Sequence, residues 1–461
     1  MITITDAYNK KYQYISLTLL ILGLILRICY AIKVPYNISS HDMGVLGVWD
    51  IRLIDPNASL KQFGHLNYIQ YIYMYHRLPP TFWGQFYHPP FFHILGAFVV
   101  RFFHHFGCSY EECLEYLQIE NMLFASMPSF IIYSFLKKTN VYGIPMIAAV
   151  SIVSFHPVFY NIGAALNNDA LSTTLGIAAV YFLSLWIQNT QFHQIIFAAL
   201  CLGFGMFTKL SVALVAPSTA VIFLYKLVYI IRNKNTSSIK PVHLFLQFVL
   251  FSLICLPIGL YWSVHNYIEY GLPVNYVPQL SEKDPQYIGN VPNIKRLLLP
   301  SKEQLFSVKL NQFSESQSNI WGQTFMTEAF DEGVLDNEQG TAHVFSVIFL
   351  WTCAFMFWVM CILSLYGVFC EKKIIDIKLF MLGIFLTYFI FYIKFCFDYP
   401  FVCTMNFRYL SISFCILTIL YAIGCHIEKN SHPMMVLLEK ISYTGVIIQS
   451  VLGAGLYLFC S

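Results

Sequence analysis

Five short motifs carry the residues of this chain with chemistry to offer: Asp42 in HDMG, His88 in YHPPF, Asp169 in NNDAL, Lys209 in TKLS and Arg408 in NFRYL. An arginine fork is permanently charged and matches phosphate oxygens, and a lysine adds a point charge. A carboxylate can take the proton of an attacking hydroxyl as a bond to phosphate breaks. Gathered in one place, such a set would hold a phosphate that carries a cargo and direct a nucleophile at that cargo. The motifs are spread over most of the chain, so their meaning depends on which elements bring them together.

Composition restricts those elements. Of 461 residues, 57% are hydrophobic and 11% charged, against about 25% charged in soluble domains. Mean hydropathy is +0.61, and 42 Phe with 31 Tyr exceed what a soluble interior of this size can cover. Disorder requires the opposite balance. The chain reads as an all-α integral membrane protein. A formal charge of +3, with Lys and Arg placed singly or in pairs, gives no stripe for a nucleic-acid partner. Most of the 13 Cys lie inside apolar runs, where they act as small hydrophobes. No CxxC pair is present, and the redox compartment stays open. Cys108 and Cys113 flank a polar stretch and are one candidate disulfide.

Apolar runs that approach the roughly 20 residues of a spanning helix fall at 14–34, 117–136, 142–162, 170–188, 192–208, 211–230, 243–262, 344–368, 376–396, 409–426 and 434–460, which makes eleven. The first follows Lys10–Lys11 and has no small-residue cleavage site, so it reads as a retained anchor. Its Arg27 must snorkel or face the bundle interior. Lys137–Lys138, Arg232 with Lys234 and Lys240, and Lys372–Lys373 with Lys378 sit at alternate turns on the side of Lys10–Lys11. The positive-inside rule makes that side cytoplasmic. The N-terminus is then inside, and the C-terminus outside. The stretch PFFHILGAFVVRFFHHF at 90–106 is too short to span, and counting it would reverse every later turn. It is expected to lie at the outer interface with its apolar face down.

Two long segments, 35–116 and 263–343, then share the outer side. The division is a transmembrane module over 1–262 that includes the first outer loop, an extracytoplasmic segment over 263–343, and terminal spans over 344–461. The first loop collects His41, Asp42, Asp50, Asp55, His65, His76, Arg77 and His88, and long loops of such content tend to be functional. Asn168 with Asp169, Lys209, and Arg408 with Tyr409 stand at outer ends of spans. All these groups therefore face one compartment. Tyr68, Tyr71, Trp83, Phe86 and Tyr87 crowd the same loop, where their faces could line a sugar or prenyl groove. The acidic run around Glu328, Asp331 and Glu332 reads as solvated surface, with acceptor recognition or a lid as the alternative.

In order along the chain, HD at 41–42, GHLNYIQY at 64–71, YHPPF at 87–91, NNDAL at 167–171, TKLS at 208–211 and NFRYL at 406–410 resemble the polytopic GT-C glycosyltransferases. The likeness is to the family 39 branch, related to protein O-mannosyltransferases and the aminoarabinose transferase. It covers most of the chain and is weakest over 263–343. It implies the GT-C fold, with juxtamembrane helices in the first outer loop. It also implies transfer of a sugar, with inversion, from a polyprenyl-phosphate-linked donor to a hydroxyl-bearing acceptor (glycan, lipid or protein) at the outer or lumenal face. Carried over residue by residue, Asp42 matches the catalytic base and His88 the residue before the proline pair, near the lipid phosphate. Asp169 matches the second-loop acid, Lys209 the basic residue ending the fifth span, and Arg408 the cation of the RY motif. His41, His65, Tyr87, Asn168 and Tyr409 complete the candidate donor-binding set. The chain departs from relatives that carry a second acid directly after the first-loop Asp. Here Met43 follows, and His41 precedes, either orienting the carboxylate or having no part.

Seven of the 14 His lie in the first outer loop, but none has HExxH spacing, so a metal centre is not favoured. No cofactor is expected, although some GT-C members need a divalent ion. The plainer readings make Asp42 a loop carboxylate or cap, Asp169 a helix cap, and Lys209 and Arg408 interfacial snorkelling cations. A transporter or flippase for a lipid-linked sugar would need the cations but should show inverted repeats and paired broken helices. A glycolipid-binding protein would need the aromatics but not Asp42. The bilayer is a partner in every case, that of a bacterial plasma membrane or of the endoplasmic reticulum in a eukaryote. In a eukaryote, Asn37-Ile-Ser39 and Asn57-Ala-Ser59 would also be glycosylation sequons.

Overall fold

The computed structural model describes residues 4–38, 46–47, 49, 63–80, 82, 84–232, 240–306, 308, 317–331, 340–427 and 432–459. His41, Asp42, Trp83, Glu332, Asp336 and Glu338 lie outside the described residues. In chain order the helices are α1 Ile4–Lys33, α2 His65–Tyr75, α3 Phe91–His105, α4 Tyr110–Lys138, α5 Ile144–Phe155, α6 Pro157–Ala164, α7 Asp169–Asn189, α8 Phe192–Thr208 and α9 Ala216–Arg232. They continue with α10 Pro241–Tyr270, α11 Asn293–Leu297, α12 Lys302–Phe306, α13 Ile320–Phe330, α14 Gly340–Cys370, α15 Ile375–Asp398, α16 Ser411–His426 and α17 Pro433–Phe459. The fold is all-α and membrane-embedded; among the described residues the β pairing is a single antiparallel bridge, Tyr287 to Phe401.

Among the described residues, ten helical stretches are long and apolar enough to cross a membrane, α5 and α6 counting as one. Helix α8 is shorter but crosses the same layer. Lys209, just past its end, bonds the carboxylate of Asp169 at the start of α7, so α7 and α8 form a hairpin that returns to its starting end. With α8 the crossings number the expected eleven. Lys33 Nζ donates to Leu458 O at 2.9 Å, which brings the ends of α1 and α17 together where the two long segments lie. At the opposite end, Lys226 pairs with Asp376 at 3.4 Å, and Lys378 Nζ donates to Gly367 O at 2.8 Å.

In the most apolar 18 residues of the α5–α6 stretch 94% are buried, and in those of Val402–His426 89%, so these two form the bundle axis and the other spans surround them. The expected uninterrupted third span is broken at His156. Pro157 has no N–H, which leaves Val153 O without its helical donor. Arg27 replaces it: its Nη2 donates to Val153 O, and Nη1 donates to Ala125 O at 3.1 Å and Ser126 Oγ at 3.3 Å. Ser129 Oγ adds a bond to Val153 O at 3.2 Å. Of the two expectations for Arg27, the interior is the one found. Pro128 leaves Phe124 O orphaned in the same way, and Thr174 Oγ1 donates to it.

Helix α3, expected at the outer interface, is too short to be among the spanning stretches. Its face of Phe92, His93, Gly96, Ala97 and Val100 is buried on α2 and α4, while Phe98, Phe102 and Phe106 point outward at helical spacing. Cys108 and Cys113 are free thiols and not a disulfide. Tyr68, Tyr71 and Phe86 do not line an open groove: they are buried, with Phe86 stacked on Phe63 at 5.2 Å and tilted against Tyr68 at 5.0 Å.

The segment expected over 263–343 starts later, because α10 runs on through Asn266 to Tyr270 and closes at Gly271, whose φ is +68°. That backbone favours glycine. The segment is pinned to the bundle mouth: Ile288 N donates to Pro400 O at 2.9 Å and Val402 N to Gln286 O at 3.0 Å. The buried Arg296 donates to Cys396 O at 2.6 Å. The described acids of the stretch expected to be solvated surface are buried instead. Glu328 and Asp331 are each 1% exposed, because α13 sits inside the mouth between α6, α14 and the turn at 407–410.

Candidate functional site

The α7–α8 hairpin places Asp169 beside Lys209. Asn167 Oδ1 accepts from Asp169 N at 3.0 Å, and Asn168 Nδ2 donates to Thr208 O at 2.9 Å. Asn167 thus serves the backbone at the helix start, which leaves the Asp169 carboxylate available to side chains. The backbone turns extended at Lys209 and continues as a 3-10 turn over Leu210–Val215. Gly205 permits that fold-back, since a Cβ there would come 2.8 Å from Val212 Cγ1.

Arg408 arrives from the other half of the chain, on the 3-10 turn Phe407–Leu410 that leads into α16. Asn406 caps that turn, its Oδ1 accepting from Arg408 N at 3.0 Å. Asp169 then bridges two cations: Lys209 Nζ bonds Oδ1, and Arg408 Nη1 lies 3.7 Å from Oδ2. Tyr409 backs both, with Lys209 Nζ 5.3 Å and Arg408 Cζ 5.0 Å from its ring centre. Its hydroxyl accepts from Arg408 Nη2 at 3.2 Å. Lys209, Asp169 and Arg408 are only 15%, 7% and 10% exposed, so the cations are held in place and do not snorkel. The trio carries one net positive charge at a partly dehydrated boundary, where a charge acts more strongly than in water.

The histidines of the first loop form a second group. His65 Nδ1 and His93 Nε2 share a hydrogen bond at 2.9 Å, and Tyr68 stacks on His93 with ring centres 4.1 Å apart. The ring of His88 lies 5.4 Å from that of His65. Tyr87 O accepts from Trp262 Nε1 at 3.0 Å and from Asn266 Nδ2 at 3.4 Å, which fastens the HPP turn to α10. Burial, followed by the neighbouring His65 and His88, holds His93 well below the usual imidazole range, so His93 is neutral and adds no cation. The two groups share an apolar seam: Leu66 clusters with Leu166 and Leu171, and Phe91 meets Phe204 at 4.8 Å and Phe207 at 6.0 Å.

Sequence reasoning gave His93 no part in this region, placed Asn406 at the same span end as Arg408 and Tyr409, and gave Glu328 and Asp331 a part only in the alternative reading of the acidic run. His93 sits in an apolar run with no spacing signal to His65. His156 did carry a signal, because a histidine before proline inside a span implies a break that some partner must fill. Its Nδ1 accepts from Val158 N at 3.3 Å, so Nε2 carries the proton and donates to Glu328 Oε1 at 3.0 Å. Burial pushes the Glu328 carboxyl well above the usual carboxylate range. The pair is a neutral imidazole and a neutral acid. Below about pH 4.3, where the unfolded carboxyl is protonated too, replacing Glu328 by Gln should therefore change stability by less than about 1 kcal/mol, whereas Ala should cost about 2–3 kcal/mol. A raised folded pKa stabilises fully below the unfolded value, near 4.3, and progressively less as pH rises. Thermal unfolding from pH 5 to 8 should thus show the wild type losing ground to Glu328→Gln. Equal losses in the Gln and Ala variants would mean that the carboxylate is ionised.

Residues 88–262 match the sequence model of the family described as dolichyl-phosphate-mannose-protein mannosyltransferase. The matched span contains His88, Asn168, Asp169 and Lys209 but neither Asp42 nor Arg408. No curated protein matches the chain in sequence. Among solved structures, the chain resembles the archaeal oligosaccharyltransferase AglB from Archaeoglobus fulgidus, solved in complex with an inhibitory peptide and a dolichol-phosphate. Identity is 11% and TM-score 0.50, over 98% of this chain and 57% of that one. This chain thus spans little more than half of that relative's length. ArnT from Cupriavidus metallidurans in the apo state matches at 11% identity and TM-score 0.33, over 86% of this chain and 72% of that one. The fold is the GT-C fold, and over the matched span the chain is related to the mannosyltransferase family.

Proposed function

We propose that this protein transfers a sugar from a polyprenyl phosphate to a hydroxyl-bearing acceptor at the bundle mouth, which faces away from the cytoplasm. The observation that carries the reading is the cation pair Arg408 and Lys209, both held by the carboxylate of Asp169. An array with one net positive charge suits a lipid phosphate whose charge grows as it leaves. AglB, the solved relative with a dolichol-phosphate bound, supports a lipid phosphate as the anion.

In this mechanism the acceptor oxygen attacks the anomeric carbon from the face opposite the phosphate, which inverts the configuration there. The carbon–oxygen bond to phosphate breaks, and its electron pair stays on the phosphate. Asp42 takes the acceptor proton. Stabilisation of the leaving charge by preorganised cations is the largest contribution expected, with Arg408 and Lys209 supplying it and His88 on the flank. Asp42 stands four residues before Leu46. A Cβ on Gly64 would lie 2.2 Å from Leu46 O and Gly47 N. Leu46 and Gly47 therefore cross the start of α2 beside His65, and Leu46 joins Leu166 and Leu171 next to Asp169.

The transporter reading expects broken helices whose free ends face a ligand. Here the break at Pro157 is filled by Arg27, Ser129 and the His156–Glu328 pair. The test is an assay of the purified protein with a panel of radiolabelled polyprenyl-phosphate sugars. Release of polyprenyl phosphate that depends on acceptor supports transfer. Movement of intact donor across a vesicle membrane without release would replace this reading with the flippase.

A further inference from the structure

Helix α13 has eleven residues, about 16 Å of helix, which is too short to cross. It is nonetheless buried from Ile320 to Phe330 along most of its length. It is anchored at both ends. Trp321 Nε1 donates to Leu297 O at 2.8 Å, and Tyr457 OH donates to Ala329 O at 2.9 Å. Its last turn meets the residues that present Arg408. Thr327 Oγ1 accepts from Phe407 N at 3.0 Å, and Asp331 Oδ1 accepts from Asn406 Nδ2 at 3.1 Å. The other face of the same amide, Asn406 Oδ1, accepts from Arg408 N at 3.0 Å.

Asp331 closes the helix with φ +55° and ψ −136°. That conformation is strained for any residue but glycine, and strain of this kind persists where the side chain has a task. A carboxylate offers only acceptors, so it fixes which way the Asn406 amide faces. With Nδ2 committed to Asp331, Oδ1 must face the Arg408 backbone. We propose that Asp331 is a positioning residue for the anion site, acting through Asn406 to hold the Arg408 turn in register with Asp169. The second outer segment would then be a scaffold for the cation and not a lid. The inference rests on the reading that Arg408 binds the donor phosphate.

Asp331→Gly separates positioning from folding, because glycine relieves the backbone while removing the carboxylate. The full-length protein carrying Asp331→Gly should unfold at the wild-type temperature or above. Its turnover should nevertheless fall about tenfold through misplacement of the cation, with KM for the polyprenyl-phosphate sugar raised and KM for the acceptor unchanged. Asp331→Asn keeps an acceptor oxygen and should recover most of that loss. Asn406→Ala combined with Asp331→Gly should be no slower than the slower single variant, because both act through one amide. Wild-type turnover in Asp331→Gly, or losses that multiply in the double variant, would overturn the proposal. If Asp331→Gly does not fold, the Asp331→Asn and Asn406→Ala pair decides by the same criterion. Arg408→Ala run in parallel separates the two failures. A wild-type rate there defeats the donor-site reading, whereas a crippled Arg408→Ala beside an unaffected Asp331→Gly defeats only the positioning role.

Discussion

Asp42→Asn is expected to lower turnover by about a thousandfold, within the range a positioned general base supplies. Asparagine has the shape of aspartate but cannot accept the acceptor proton, so binding should survive while the chemical step fails. The donor should still saturate the variant at a similar concentration, since the cations on the phosphate are Arg408 and Lys209 and not Asp42. His41→Ala separates the two roles open to the preceding histidine: a modest loss means it orients the carboxylate, and none means it has no part. Measurement is single-turnover release of polyprenyl phosphate with acceptor in excess. An Asp42→Asn protein that releases phosphate at the wild-type rate would remove this residue from the mechanism and return the base to the other carboxylates of the mouth.

The sequence made this site partly legible through sidedness. Asp169 and Lys209 lie one apolar hairpin apart, and a chain that crosses a membrane and returns must bring such residues to the same end. Their direct bond follows from that topology. The basic turns carried the same information: treating 90–106 as a span would have separated Arg408 from His88, and α3 instead lies with its inner face packed on α2 and α4. What stayed hidden depends on partners distant in sequence. TFMTEAFDEG looks like solvated surface because acids at a protein–water boundary usually are. Thr324, Thr327, Glu328 and Asp331 nevertheless share one helical face, and a polar stripe on a helix packed among membrane spans turns inward. Nothing local identifies His156, Tyr392, Asn406 and Phe407 as the groups that satisfy it. Arg27 shows the converse. Its position in an apolar run left snorkelling or an interior partner open, and the partner found is a carbonyl that Pro157 had left without a donor.

Arg408→Ala should be the most damaging change among the cations, lowering turnover by about a hundredfold to a thousandfold, as loss of a preorganised charge stabiliser does. Arg408 differs from Lys209 in how it is held. Lys209 bonds Asp169 directly, so part of its charge is already neutralised. Arg408 Nη1 stays 3.7 Å from that carboxylate while Nη2 donates to Tyr409 OH. Asp169 and Tyr409 thereby both orient the guanidinium plane. Arg408→Lys keeps the charge but cannot bridge Asp169 and Tyr409 with one rigid fork, so it should recover only part of the loss. Inhibition by the product, polyprenyl phosphate, isolates the contact from the chemistry. The inhibition constant should rise in Arg408→Ala by a factor similar to the loss in turnover over KM, and less in Arg408→Lys. Lys209→Met should give a smaller effect on both, and it should free Asp169 to pair more closely with Arg408. If product inhibition is unchanged in Arg408→Ala while turnover falls, the arginine orders the α16 turn and does not touch the phosphate, and the anion site must be sought nearer His88.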